Sequence, residues 1–260
     1  MRFLVATDFS EASDKALMSA VNLATLTNSE IVLLHIFEVS EIDKSAKKII
    51  GSGFLNREIK NRLEQMVSEI EKNKSIKISY LTKEGELFDT MKNAVEETSS
   101  DILFIGTHGV HGVQHITGSF LAKTINMVDV PVWVVQKGSE ICNFKNIYIY
   151  IDELFDNPVN PIIIDIAKKF NSSIHFNFTD STSGFATKEL ISKIQSTLEN
   201  SGINYTLSSL NGEDDMIKAF TQKATNTDSS LIILDRNQNE ISTFIDVFNN
   251  KKCVEVLCLN

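Results

Sequence analysis

The sequence predicts an α/β protein of two tandem five-stranded parallel-sheet domains, each with helices on both faces and the pair related by a pseudo-two-fold. Three observations carry that expectation. Short apolar runs alternate with helically spaced segments through five rounds in residues 3–135, the pattern of a parallel sheet covered on both sides. The pattern restarts at Asn146. Residues 106–119 hold four of the chain's eleven glycines directly behind one of the apolar runs, which marks a loop at a strand end.

Phe3, Leu4, Val5, Ala6 and Thr7 make a short apolar run closed by Asp8, which reads as a buried strand presenting the aspartate at its carboxyl end. Ser10 then offers an N-cap to a helix with Ala12, Ala16, Leu17, Ala20, Val21 and Ala24 on one face. Residues 30–36 form a second buried strand, in which His35 is expected to be a hydrogen-bonded core residue, and residues 38–53 a polar loop. Ile59, Leu63, Met66, Val67 and Ile70 keep helical spacing ahead of a third strand at 76–81. A helix at about 87–97 leads to a fourth strand, 101–105, and the glycine stretch. Residues 119–125 return to helical spacing. The fifth strand occupies 130–135, with Pro131 near its start, where a missing N–H does least harm.

Residues 147–152 repeat the strand-then-aspartate pattern, 171–174 echo 28–31, 230–234 answer 101–105, and 254–257 answer the fifth strand. Residues 137–145 are polar, contain Gly138 and Ser139 and show no period, so they read as a linker between domains at 1–138 and 145–260. The copies differ at the loop. Asp235 stands where Gly106 stands in the first copy, and Arg236 to Glu240 contain no glycine, so side chains crowd the backbone and two acids repel an anion.

The glycine stretch of the first copy joins a strand to a helix N-terminus. Closely approaching N–H groups and the positive end of the helix dipole suit a phosphate there. It is not a Walker A loop, because Lys123 and Thr124 fall inside the helix instead of following a glycine. It is not a dinucleotide fingerprint, because it lies late in the domain with no acid ending a strand about twenty residues on.

Composition narrows the classes. With 42% hydrophobic residues in 260, two domains have material for their cores, and a net charge of −9 disfavours a nucleic-acid partner. No apolar run nears the roughly 18 residues that cross a bilayer, and the start turns acidic at Asp8, too soon for a signal peptide, so no membrane association and a cytoplasmic location are expected. Cys142, Cys253 and Cys258 form no C-x-x-C pair, which fits reduced thiols.

The residues at positions 6–11 (Ala-Thr-Asp-Phe-Ser-Glu), 33–36 (Leu-Leu-His-Ile) and 130–135 (Val-Pro-Val-Trp-Val-Val), with a glycine loop ending in Gly118 and Ser119, together resemble the universal stress proteins in tandem two-domain form. The first half matches throughout, the second by topology and Asp152. That resemblance implies a Rossmann-like fold akin to the adenine-nucleotide alpha-hydrolases, a stress-response role, and ATP as ligand where the pattern Gly-x2-Gly-x9-Gly-[Ser/Thr] holds. Gly106 and Gly109 match its first two glycines and Gly118 and Ser119 its last pair, but the spacing between Gly109 and Gly118 is eight residues, one short of the pattern. Carried over residue by residue, it places Asp8 at the adenosine sugar and Ala6 and Thr7 along the adenine pocket. Ile36 would pack on the base, and Gly109 and Ser119 would meet the phosphates. In the family the last strands pair across a dimer, which implies an intramolecular pseudo-dimer here with residues 132–135 beside 254–257; a homodimer of the whole chain is compatible with it.

Alternatives remain at this level. Asp8 also reads as a carboxylate capping the strand-to-helix turn. His108, His111 and His115 are polar loop residues, since no cysteine or carboxylate completes a tetrahedral metal set beside them. Nucleophile motifs are missing and no lysine or arginine lies within residues 106–119, so a binding protein is expected, not an enzyme. An interaction scaffold with a relic loop is the competing reading.

Overall fold

The computed structural model describes residues 1–37, 52–107, 118–136, 143–152, 155, 157–179, 184–210, 215–226, 230–237, 241, 243, 244 and 254–259; for 52–56, 118–120 and 184–187 it describes the backbone alone. The first half runs β1 (Arg2–Ala6), α1 (Glu11–Thr27), β2 (Glu30–Phe37), α2 (Ser52–Asn73), β3 (Ile78–Glu84), α3 (Leu87–Thr98), β4 (Ile102–Thr107), α4 (Gly118–Met127) and β5 (Val132–Gln136). The second runs β6 (Asn146–Ile151), α5 (Pro161–Phe170), β7 (Ser173–Phe178), α6 (Gly184–Leu198), β8 (Tyr205–Ser209), α7 (Met216–Thr225), β9 (Ser230–Asp235) and β10 (Val254–Leu259).

All ten strands join one sheet in the order β3-β2-β1-β4-β5-β10-β9-β6-β7-β8. Within each half the pairs are parallel, as crossover helices require. The join is antiparallel, with Val134 opposite Val256 and Trp133 opposite Leu257. The strand order therefore reads alike from either edge, and the expected adjacency of residues 132–135 and 254–257 is found.

Two buried clusters cover the two faces, and each crosses the join. On one face α1 and α2 pack beside α5 and α6, and an aromatic run of Phe3, Phe104, Trp133, Phe144 and Phe170, with ring centroids 5.1–5.8 Å apart, passes from the first half into the second. On the other, Met91 of α3, Leu121 and Ile125 of α4, and Phe220 of α7 pack with Val132, Val134, Val256 and Cys258. The join is core, not a surface contact.

Local chemistry fixes the element ends. Ser10 caps α1 by accepting from the Ser13 N–H, and α1 and α5 both end on an asparagine in the left-handed region, Asn28 and Asn171, at matching positions of the two copies. Two boundaries differ from the expected ones in ways that matter. β4 continues through Gly106 and Thr107, because both pair with β5, at Val135 and Gln136. β5 begins only after Pro131, which has no N–H but whose carbonyl accepts from Leu103.

Candidate functional site

Strand order reverses between β1 and β4, so the crossovers leaving these neighbours go to opposite faces and open a crevice beyond their carboxyl ends. β2 projects past β1: Ala6 pairs with Leu34, the Thr7 N–H donates to the Leu34 carbonyl at 2.8 Å, and Ile36 lies two residues further along. Ala6 and Ile36 share the α3/α4 face and are half-buried, forming an apolar shelf at the strand ends. Thr107 and Gln136 end β4 and β5, and register and alternation put them on that same face. Leu121 and Ile125 place α4 over it, with its N-terminus at Gly118.

The turn after β1 is tightly held. The Thr7 hydroxyl, buried, accepts from the Phe9 N–H and pairs with the Ser13 hydroxyl. Asp8 is exposed, and one of its oxygens accepts from the Ser10 N–H at 3.0 Å, so it does act as a turn cap. Phe9 takes a φ of 63°, a left-handed conformation unusual for a bulky residue. Its ring packs on His35 with centroids 4.4 Å apart, and the Arg62 guanidinium of α2 lies over the ring at 4.4 Å. His35 Nδ1 lies 2.8 Å from the Thr7 carbonyl, which fixes the Nδ1–H tautomer in a neutral ring. Burial lowers its pKa, with the Thr7 carbonyl and Asp8 opposing that shift. The expectation of a hydrogen-bonded His35 holds, although the ring is only half-buried.

Gly106 sits inside β4, with its missing side chain on the α1 face. A Cβ there would overlap the Ala12 carbonyl and approach the Ser13 nitrogen to 2.7 Å. The glycine thus lets the first turn of α1 lie directly on the strand. The second half lacks this contact. Asp152 and Asn171 bracket almost the same length of chain as Asp8 and Asn28, yet α5 begins only at Pro161, because Pro158 and Pro161 cannot donate within a helix. Among the described residues between Asp152 and Pro161 there is no helix, and Asp235, at the glycine's position, is buried and accepts from the Asn237 N–H.

Of the expected site residues, Ala6, Thr7, Asp8, Ile36 and Gly106 gather around the β1/β4 crevice. Gly118 and Ser119 begin α4, and the Ser119 side chain lies outside the described residues. Gly109 also lies outside them, as do His108, His111, His115, Cys142 and Cys253. Gln136 is a further polar residue at the crevice. It is 1% exposed, and neither its side-chain oxygen nor its nitrogen has a partner among the described residues. A glutamine closing an apolar strand looks in sequence like the start of a polar connector, and its burial shows only in the folded chain.

A family model described as the universal stress protein family matches residues 1–136. A universal stress protein from Methanocaldococcus jannaschii is 28% identical over 153 residues, covering 52% of this chain and 94% of that protein. Among solved structures, a universal stress protein from Archaeoglobus fulgidus aligns at a TM-score of 0.74 and 16% identity, over 100% of this chain and 98% of that one. A protein of unknown function from Pseudomonas aeruginosa aligns at 0.57 and 14%, over 99% and 92%. At these identities both structures speak for the fold alone. The family model spans more than half of the chain, and the protein belongs to the universal stress protein family.

Proposed function

We propose that the first half binds one adenine nucleotide, ATP, in a regulatory role in the stress response, without robust catalysis. The observation that carries the reading is the grouping on one face of the β1/β4 crevice. The Ala6 and Ile36 shelf suits a base, and the N-terminus of α4 behind a glycine-rich connection suits phosphates. Gln136, buried and with no side-chain partner among the described residues, is a polar group that a ligand or its loop would satisfy. Asp8, at the turn between them, has the position and charge to accept from ribose hydroxyls. Gly106, Gly109, Gly118 and Ser119 are the phosphate-side residues of the reading. No nucleic acid or membrane partner is included; no helix among the described residues is long and apolar enough to cross a membrane.

The units are residues 1–138, which carry the site, and 145–260, in which Asp235 and the late start of α5 replace the glycine contact. A binding role fits better than a catalytic one because His35 has Nδ1 committed to the Thr7 carbonyl and packs toward Phe9, on the face opposite the shelf. The eight-residue spacing between Gly109 and Gly118 favours one second reading, a scaffold with a relic loop. Denaturing purified protein and resolving the supernatant on an ion-exchange column separates the two. Released adenine nucleotide supports the binding reading, and its absence, with no thermal shift at millimolar ATP, supports the scaffold.

A further inference from the structure

The second copy has lost the glycine contact, yet two of its side chains reach into the first half. Arg236, directly after β9, donates from Nη1 to the Val128 carbonyl at 2.7 Å and from Nη2 to the Val130 carbonyl at 3.2 Å. Those carbonyls belong to the connector that leaves α4, whose last helical hydrogen bond runs from the Val128 N–H to Thr124. A planar cation spanning two carbonyls at a helix C-terminus fixes the end of that helix and complements its dipole. In the strand register the first-half counterpart of Arg236 is Thr107, a residue too short for any such reach.

Glu255 of β10 makes the second contact. Its Oε2 accepts from the Ser19 hydroxyl of α1 at 2.6 Å and from the Trp133 indole N–H of β5. The residue is 1% exposed in an otherwise apolar strand, where an acid is costly unless its hydrogen bonds matter. The two contacts fall on two particular helices. α1 starts at the Asp8 turn and lies on Gly106; α4 starts at Gly118. These are the helices whose N-termini flank the β1/β4 crevice, and each is held at a point away from it.

We infer that the second half is a brace for the first-half site, with Arg236 and Glu255 as positioning residues that set α4 and α1. The inference rests on the nucleotide reading given above. α4, ten residues and about 15 Å long, transmits the position of its C-terminus to its N-terminus as a rigid rod. Orientation of binding groups is sensitive to such displacements, so loss of a brace residue costs ligand affinity beyond what it costs stability.

The test compares ATP affinity by calorimetry with Tm in the absence of nucleotide, in the full chain. Arg236→Met keeps the aliphatic stem and removes both donors; Arg236→Lys keeps one charged donor; Glu255→Met keeps about the same volume and removes the acceptor for Ser19 and Trp133. Ile166→Ala, in α5 and fully buried in the second half, is the stability control. The brace predicts that Arg236→Met weakens ATP about tenfold, within the usual range of site-to-site coupling. Arg236→Lys should recover part of that, and Glu255→Met should weaken ATP by a smaller factor. Ile166→Ala should lower Tm at least as much while changing Kd less than about twofold. Wild-type affinity in Arg236→Met, or in Arg236→Lys if the methionine variant does not fold, overturns the brace alone, as does an affinity loss in Ile166→Ala that tracks its Tm loss equally. A wild type that takes up no ATP overturns the nucleotide reading, and the brace with it.

Discussion

Glu255→Gln should remove a pH dependence that the wild type carries. Burial pushes the Glu255 carboxyl up from its usual value near 4.5 to about 7, against the two hydrogen bonds from Ser19 and Trp133, which favour the ionised form. Among the described residues no charged side chain contributes; the facing groups are Ser19 from α1 and Trp133 from β5. Below the unfolded-state pKa both states hold the proton, and the residue does not oppose folding. As pH rises toward 7 the unfolded chain releases its proton while the folded protein retains it, so stability falls. Above 7 the loss levels off. One pKa step is worth about 1.4 kcal/mol, so the full loss approaches about 3 kcal/mol, of which about 2–3 kcal/mol falls between pH 5 and 8.

Urea unfolding of the wild type and Glu255→Gln at pH 5, 6, 7 and 8 reads this directly, since other titrating groups cancel in the difference. Glutamine retains an acceptor for Ser19 and Trp133 and carries no charge. The variant should gain about 2–3 kcal/mol on the wild type from pH 5 to pH 8. Parallel profiles, within about 0.5 kcal/mol, would refute the assignment of a buried, protonatable acid to the join between the halves.

Two further outcomes follow from the geometry and a third from the glycine pattern of the sequence. Gly106→Ala drives a Cβ into the Ala12 carbonyl, which is backbone and cannot swing aside, so unfolding experiments should show a loss of about 3 kcal/mol; a near-neutral result would mean that α1 does not lie on β4 as described. Ser10→Ala removes the acceptor for the Ser13 N–H and should cost about 1 kcal/mol, with Ser10→Asp recovering most of it. If the nucleotide reading holds, ATP at 100 times Kd should stabilise the wild type by about 2.7 kcal/mol and Gly109→Val should lose that gain, because a β-branched side chain at a phosphate-side glycine would crowd the ligand; an equal gain in both proteins would remove Gly109 from the site.

The architecture was legible because parallel-sheet folds write themselves in alternation, and a duplicated chain writes the pattern twice. The adjacency of β5 and β10 followed from the family resemblance and is present in the register. Asp8 satisfies its local alternative as a turn cap while standing at the crevice. What could not be read was tertiary. Gly106 looked like the first residue of a loop, but its neighbour Ala12, nearly a hundred residues earlier, is what requires a glycine inside the strand. Pro158 and Pro161 were visible, yet their effect, a helix that starts late, shows only when the two copies are superposed by register. Glu255 sat in a short apolar run, where a single acid ordinarily marks the solvent side of an alternating strand. Burial by α1 from the other half reverses that meaning. Gln136 is the same case at a strand end.

Calorimetric titration of ATP into the full chain tests most directly whether this family member binds a nucleotide in one half only. The crevice of the first half, and the loss of its glycine contact in the second, predict saturable binding with a stoichiometry of one per chain. Two sites per chain, or no heat at millimolar ATP, would contradict it.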